Sequence, residues 1–550
     1  MARRYLPVER DQPFLLPPSV QEFVPEDDLA WFLIDAVAAM DTSAFHANAR
    51  LGHAGRAGYD PDMLLTLLIY AYCLGQRSSR RIEQLCVRDL GFKVVTGNRV
   101  VDHSTIALFR ATHPDAITSL FTQVLLLCAT SGLRQVGVVA VDGSKIAANA
   151  SIDKTHQRET LIRERDRLSA QVEQMLTEAA RTDAAQDAMF GPDQRGDELP
   201  AALRHKNGRL QRLEETLRQI DSARAEHDAT EHAPTTPTGR PRRGDKVAQA
   251  QHNLDREKAR RDERLAKQAT LAPGARLPGS EPDHEARIAA AETALEAARA
   301  ETARDAAGVD PTSHPGTGTG TAPQPGTDLA LRPGCSLKHL PHPARHGNAT
   351  DPDSRLLKTR RGWTQGYNGQ IAATRVQHGR RLVLAATVTQ DAVDVKQATP
   401  MMTTATTNAE QAGLGTPTLF VFDAGYFSQE NLTTPGPDRL IAPDKNHTRI
   451  TDLRTNGYTT NDPPPDATPA EAMRHRLKTE TGANHYAQRA PTVEPVFGEI
   501  KHGRNFRTFQ QRGLTAVNAE WKLIHATGNL RVLHRHLHTT TPPKPPPPTP

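Results

Sequence analysis

Cysteine is scarce: four residues, Cys73, Cys86, Cys128 and Cys335, lie far apart with no CxxC pair. That spacing excludes a disulfide framework and a structural zinc site, and it fits a reduced, cytoplasmic protein. Aromatic residues make up 5% and apolar residues 37% of 550 positions, less than a chain of this length needs if all of it is packed core. Part of the chain is therefore expected outside any core, and the rest is expected to divide into several domains. Long apolar runs are missing too. Nothing approaches the roughly 20 residues of a membrane span, and the start has no signal-peptide pattern, so no membrane partner is expected. Charge of one sign is also lacking, since 68 Lys+Arg stand against 63 Asp+Glu for a net +5. With a pI near 9.0 this permits a polyanionic partner without demanding one.

Residues 15–134 read as a helical domain. The segments 27–40 (DDLAWFLIDAVAAM) and 60–75 (DPDMLLTLLIYAYCLG) have helical apolar spacing, with Asp60-Pro61-Asp62 as a helix start. A helix over 78–97, a connection, and a shorter helix over 100–110 opened by Asp102 and Ser104 outline a helix-turn-helix. On that outline Ser104, Thr105 and Arg110 face DNA bases while Arg77, Arg80 and Arg81 meet phosphates. Two packed helices with a solvated arginine face are the competing reading.

From 136 the pattern turns to strands: 136–146, 366–376, 381–390, 418–423 and 439–443. Between the first and second, residues 155–345 read as an insertion. It is helical and coiled-coil-like, with heptad-spaced Leu161, Leu168, Val172 and Met175, then Leu210, Leu213, Leu217 and Ile220. Breaks at 233–245 and 271–283 separate its helical pieces, and its Gly/Pro/Thr-rich linker at 308–328 is too polar to fold alone. The catalytic domain is then 135–154 with 346–537, and 538–550 is a proline-rich disordered tail.

Three acids carry the chemistry. Asp142 ends VGVVAVD, Asp423 ends TLFVFD, and Glu494 sits in YAQRAPTVEPVFGEIK. A carboxylate at the end of a buried strand needs a compensating cation, and an all-oxygen set suits Mg²⁺ or Mn²⁺. Locally, Asp142 also reads as a turn residue before Gly143, and Asp423 as a helix cap before Ala424-Gly425. With the insertion set aside, the order strand, strand, strand, helix, strand, helix, strand is that of a ribonuclease H-like α/β fold with a mixed sheet. In that fold the first and fourth strands are neighbours, which brings Asp142 beside Asp423.

The segment Tyr486, Arg489, Glu494, Lys501 resembles the Y-R-E-K signature of bacterial insertion-sequence DDE transposases. Four residues rather than three separate Arg489 from Glu494, and Pro491 is expected to set the arginine ahead of the helix. The similarity extends to AVDGSKIAANAS, FDAGYFSQENL, DPDSRLLKT, GYNGQ and the helical N-terminal region. It implies a transposase that cleaves DNA and transfers the strand by a two-metal mechanism. Asp142 would bridge two Mg²⁺ or Mn²⁺ ions, with Asp423 and Glu494 each completing one shell. Tyr486 and Arg489 would contact phosphate, and Lys501, Arg504 and Arg507 form a basic strip along DNA. The implied partners are double-stranded transposon ends and target DNA, bound by a homodimer on paired ends. A nuclease without strand transfer and a transposase-derived DNA-binding regulator are the alternatives. Trp363 and Trp521 read as core before base-stacking residues, and the histidines at 339, 342 and 346 and at 534, 536 and 538 lack zinc-site spacing.

Overall fold

The computed structural model describes residues 19–47, 58–134, 136–190, 201–231, 246–269, 284–307, 342–359, 362–444, 453, 455, 457–460 and 462–540. They fall into two compact units, 1–216 with 347–550, and 217–346. The linker at 308–328, the breaks at 233–245 and 271–283, Cys335 and His339 lie outside the described residues.

The first unit opens with helices α1 (Leu29–Ala38), α2 (Ser43–His46), α3 (Pro61–Cys73), α4 (Ser79–Arg88), α5 (Leu90–Thr96), α6 (His103–Thr112) and α7 (Pro114–Thr130). Helix α3 starts where the sequence predicts: the Asp60 side chain accepts from Asp62 N and Pro61 stands in the first turn. Every residue from Leu64 to Cys73 is buried, so this helix needs neighbours on all sides. The helix expected over 78–97 is instead two. Asp89 is extended and its carboxylate caps α5 through Phe92 N at 3.2 Å, a break that apolar periodicity does not register. Asp102, rather than Ser104, caps α6.

The mixed sheet follows. Strand β1 (Val138–Ala147) precedes two short strands, β2 (Thr155–Gln157) and β3 (His346–Asn348), and then β4 (Arg355–Thr359), β5 (Gly362–Arg375), β6 (Arg381–Thr389), β7 (Leu419–Phe422) and β8 (Arg439–Ile441). All five predicted strands form, and β4 is an unforeseen addition. Strand β5 pairs antiparallel with β1, from Val139↔Thr374 to Ala147↔Gly366, despite the long interval between them. Its other edge is shared by β4 and β6. Strand β7 pairs parallel with β1 and with β8. The apolar runs of β1 and β7 suit the parallel centre, where side chains are covered on both faces.

Helices α12 (Ala398–Gln411), α13 (Gln429–Thr433), α14 (Pro469–Arg476), α15 (Glu480–Tyr486), α16 (Arg489–Gly498) and α17 (Leu514–Thr540) complete this unit. Helix α17 packs on β6, α3 and α7, so the N-terminal helices and the sheet share one core. Its fully buried Trp521 donates to Gln370 O at 3.0 Å and lies flat against Gly369, where any Cβ would come within 2.8 Å of the ring. The helix extends through Thr540, past the predicted tail boundary. His538, Thr539 and Thr540 are helix-compatible, and the first residue that cannot continue is set by Pro542. Residues 541–550 lie outside the described region.

Helices α8 (Arg158–Phe190) and α9 (Ala201–Glu231) occupy the start of the predicted insertion, and Leu161, Leu168, Val172, Leu213, Leu217 and Ile220 are buried. In the second unit α10 (Lys246–Ala269) and α11 (His284–Ala307) run antiparallel, with Lys258 paired to Glu292 and Arg261 to Glu285 around Leu254, Ile288 and Leu295.

A buried charge ties the first unit together. Glu520 on α17 accepts from Gln510 N and Gln511 N, both at 2.9 Å, and from the Tyr72 hydroxyl at 3.2 Å. Arg110 donates to that hydroxyl at 3.1 Å and to Arg77 O at 2.9 Å. Arg77 in turn donates to Thr508 O and, at 3.1 Å, to Asn505 O. Replacing Glu520 with alanine leaves buried arginines uncompensated, so urea denaturation is expected to show a loss of about 3 to 5 kcal/mol. A loss under about 1 kcal/mol contradicts this role.

Candidate active site beside the paired strands β1 and β7

Val141 pairs with Phe422, and the next residue on each strand is an acid. In-register parallel pairing therefore sets Asp142 beside Asp423. Asp423 stands just past the end of β7, but Asp142 is in the middle of β1 and not at its predicted end, because the strand continues to Ala147 through its antiparallel pairing with β5. The Asp142 carboxylate accepts from Gly143 N at 2.8 Å, and that of Asp423 from Gly425 N at 2.9 Å. The cap reading holds for Asp423, whereas Asp142 and Gly143 lie within β1 and form no turn; neither hydrogen bond exhausts a carboxylate with about four acceptor positions. Burial pushes Asp142 up to about 6, and Asp423 adds to the rise by repulsion. Arg489 opposes it, with its guanidinium 3.1 Å from Asp142 Oδ2 and both side chains mostly buried.

Arg489 is the first residue of α16, not a residue ahead of it. Pro491 is tolerated in the first turn, where its missing N–H has no partner to lose. Tyr486, at the end of α15, is hydrogen-bonded to Arg489, and burial pushes its phenol up. The extra residue between Arg489 and Glu494 thus leaves the arginine at the acids. Glu494 is exposed, with no hydrogen bond or ion pair among the described residues. A π turn over Glu499–Gly503 follows and breaks the two-turn spacing expected between Glu494 and Lys501. Lys501 donates to Ser144 Oγ, which shares a strand face with Asp142. Burial, then Arg507, pushes the Lys501 ammonium down, while Asp142 opposes them.

Sequence reasoning missed Asp394, between β6 and α12. Asn368 and Gln370 each donate a side-chain amide to its Oδ1 at 2.7 Å, and Gln370 accepts from the Tyr426 hydroxyl. A Cβ on Gly143 would stand 2.5 Å from Asp394 Oδ1, and one on Gly425 would stand 3.4 Å from Oδ2. Asp394 therefore lies beside the glycines that follow both acids. The available signal was the pair of amides in GYNGQ: fully buried polar side chains on one strand face require a partner.

Asp142 and Asp423 offer hard oxygen donors whose repulsion a divalent cation relieves, so the residues fit such an ion. Among the described residues, ligand atoms of three such side chains converge within 4.8 Å at His46, Asp60 and Asp62, which are mostly exposed, and not at the predicted triad.

The expected DNA contacts divide. Arg80, Arg81 and Arg507 are exposed, although Arg507 also donates to Lys501 O. Arg110 and Arg504 are not available for DNA: they are 9% and 4% exposed. Arg110 serves the Glu520 network, and Arg504 bonds Glu499, Ile524 O and Thr527 Oγ1. The π turn produces the latter placement by bonding Arg504 N to Glu499 O, five residues back. Arg77 is bound to the 505–508 segment, and its guanidinium stacks on Phe506 at 5.2 Å. Ser104 and Thr105 donate their hydroxyls to Asp102, at 2.5 and 2.6 Å. Trp521 is core, whereas Trp363 is exposed.

Residues 456–534 match the family model for a transposase DDE domain, and residues 18–112 match that of a transposase domain (DUF772). The matches support a DDE-type transposase. They imply a nucleic-acid-processing enzyme with DNA as substrate. No match was found among curated proteins or among solved structures. The first matched segment contains Tyr486, Arg489, Glu494 and Lys501, and the second contains the N-terminal arginines. No helix among the described residues is long and apolar enough to cross a membrane.

Because Asp142 is raised from 3.8 to about 6, its ionisation costs stability as pH climbs through that interval. In metal-free protein, Asp142→Asn is expected to be more stable than wild type at pH 7.5 by on the order of 3 kcal/mol, and so to unfold at a higher temperature. The advantage should vanish near pH 4, where the wild-type carboxyl is protonated. An equal or lower unfolding temperature at pH 7.5 contradicts the electrostatic reading.

Proposed function

We propose that this chain is a DDE transposase with a ribonuclease H-like catalytic domain, which cleaves DNA at the ends of an insertion sequence and joins the freed strand to target DNA. The observation that carries the reading is the in-register parallel pairing of β1 and β7, with Asp142 and Asp423 one residue beyond it. The strand order β6-β5-β1-β7-β8 supports the fold assignment, since the first and fourth core strands are neighbours.

The reaction is two in-line displacements at phosphorus, first by water and then by the freed 3′-hydroxyl. Bound to Asp142, Asp423 and Glu494, two Mg²⁺ or Mn²⁺ ions would supply activation of the attacking oxygen and charge stabilisation of the leaving one. Glu494, exposed and without a partner among the described residues, is free to complete that set. Lys501 and Arg489 present positive charge beside the acids and would hold the scissile phosphate, with Tyr486 orienting Arg489. Arg80, Arg81 and Arg507 are exposed and suit backbone contacts that fix register without reading sequence.

Cleavage and strand transfer of a duplex carrying the element's terminal repeats, with Mg²⁺, tests this. Wild type is expected to produce both, and Asp423→Ala or Glu494→Gln to lower cleavage at least a hundredfold, as for loss of a major charge-stabilising group. Activity surviving Asp423→Ala removes the assignment, and cleavage without joining indicates a nuclease.

The insertion 155–345 is helical over α8, α9, α10 and α11, which suits pairing of two protomers on two ends. A chain lacking it is expected to bind one end but fail to assemble paired ends in gel-shift experiments. Normal pairing by the shortened chain rejects that role.

A further inference from the structure

A cavity of about 250 Å³, not lined by Asp142 or Asp423, lies beside α16 and between the start of β6 and α17. It is strongly basic: Arg380, Arg381, Arg504, Arg531 and Arg535 line it, and Glu499 is its one carboxylate. Arg504 and Arg531 both pair with Glu499, which leaves Arg380, Arg381 and Arg535 without an acidic partner there. Arg381 donates to Pro491 O at 2.8 Å. That carbonyl is free because Pro495, four residues on, has no N–H to give it.

Two of the residues that line the cavity each carry a buried polar atom without a partner among the described residues. His525 is 1% exposed, its ring edge-on to Trp521 at 4.3 Å, and its Nε2 is unpaired. Burial and Arg504 hold that imidazole neutral. Arg380 Nη1 is likewise buried and unpaired, although its Nη2 reaches Thr539. Unsatisfied buried polar atoms are costly, and a positive, partly apolar hollow provides a natural way to satisfy them. Val383, Val496 and Val532 supply the apolar wall.

We propose that this cavity binds a phosphate-bearing nucleotide unit, with the phosphate on Arg380 and Arg535, the sugar or base against the three valines, and one polar ligand atom hydrogen-bonded to His525 Nε2. The unit is either a free nucleotide or one nucleotide of a DNA strand; the recognition chemistry is the same. Because Pro495, Val496 and Glu499 form one wall, the bound unit rests on the helix that begins with Arg489. The site is separate from the carboxylates and needs no metal.

The test uses the full chain in excess EDTA, so that a carboxylate-held metal cannot contribute and failure of the transposase reading leaves the result interpretable. Binding of inorganic phosphate, a nucleoside monophosphate and a short single-stranded oligonucleotide is measured by calorimetry. Wild type is expected to bind one of the latter two more tightly than phosphate. Arg380→Gln/Arg535→Gln and, separately, the cavity-filling Val532→Phe are expected to weaken that binding at least tenfold, while the exposed pair Arg88→Gln/Arg167→Gln leaves it unchanged. Mononucleotide binding identifies a free ligand, and binding of the oligonucleotide alone identifies a DNA strand. The proposal is overturned if wild type binds neither, if phosphate binds as tightly, or if Val532→Phe has no effect, which reduces the arginines to a surface patch.

Discussion

The pairing of β1 with β7 governs the chemistry of this protein. Two acids, each one residue past a buried apolar run, become neighbours only because the strands are parallel and in register. A slip of one residue would turn one carboxylate to the opposite sheet face. Their proximity, together with burial, makes Asp142 reluctant to ionise, and the fold answers with Arg489 at 3.1 Å. Asp394, fixed by two amides from β5, lies next to Gly143 and Gly425, on the face of β1 opposite Asp142. A mostly buried carboxylate with a second one close by is stable only with cations near, which is the physical basis for expecting a metal at Asp142 and Asp423.

Buried charge also explains how the N-terminal helices join the sheet. Glu520 draws Tyr72, Arg110 and the 510–511 backbone around it, and Arg77 fastens the 505–508 segment. That segment lies along β1, with Phe509 N donating to Ala147 O at 2.8 Å. A chain of direct contacts thus links the N-terminal region to the strand that carries Asp142. The matched transposase segments, 18–112 and 456–534, contain most of these partners, while Asp142 and Asp423 fall outside both. The sheet connects what the family matches leave apart.

Much of the architecture was legible in local pattern. Asp60-Pro61 marks the start of α3, and the β-branched runs mark β1, β5, β6, β7 and β8, because capping and strand burial are short-range effects. Asp142 and Asp423 were legible as acids terminating such runs. Asp394 was not, since its significance depends on amides contributed by another strand. The basic residues misled most: Arg110 and Arg504 look like a DNA-facing strip, but their carboxylate partners lie at Glu520 and, across a π turn, at Glu499.

The sequence by itself determined which segments are helix or strand and which residues can carry acid, base and phosphate-binding chemistry, because periodicity, caps and side-chain chemistry are properties of neighbouring residues. The tertiary structure decided which of those residues meet. It set Arg489 on Asp142, left Glu494 exposed, brought Asp394 beside Gly143 and Gly425 and turned two surface-like arginines inward. The reason is that charge compensation acts across space: a buried carboxylate takes the nearest cation in the fold, wherever that cation lies along the chain.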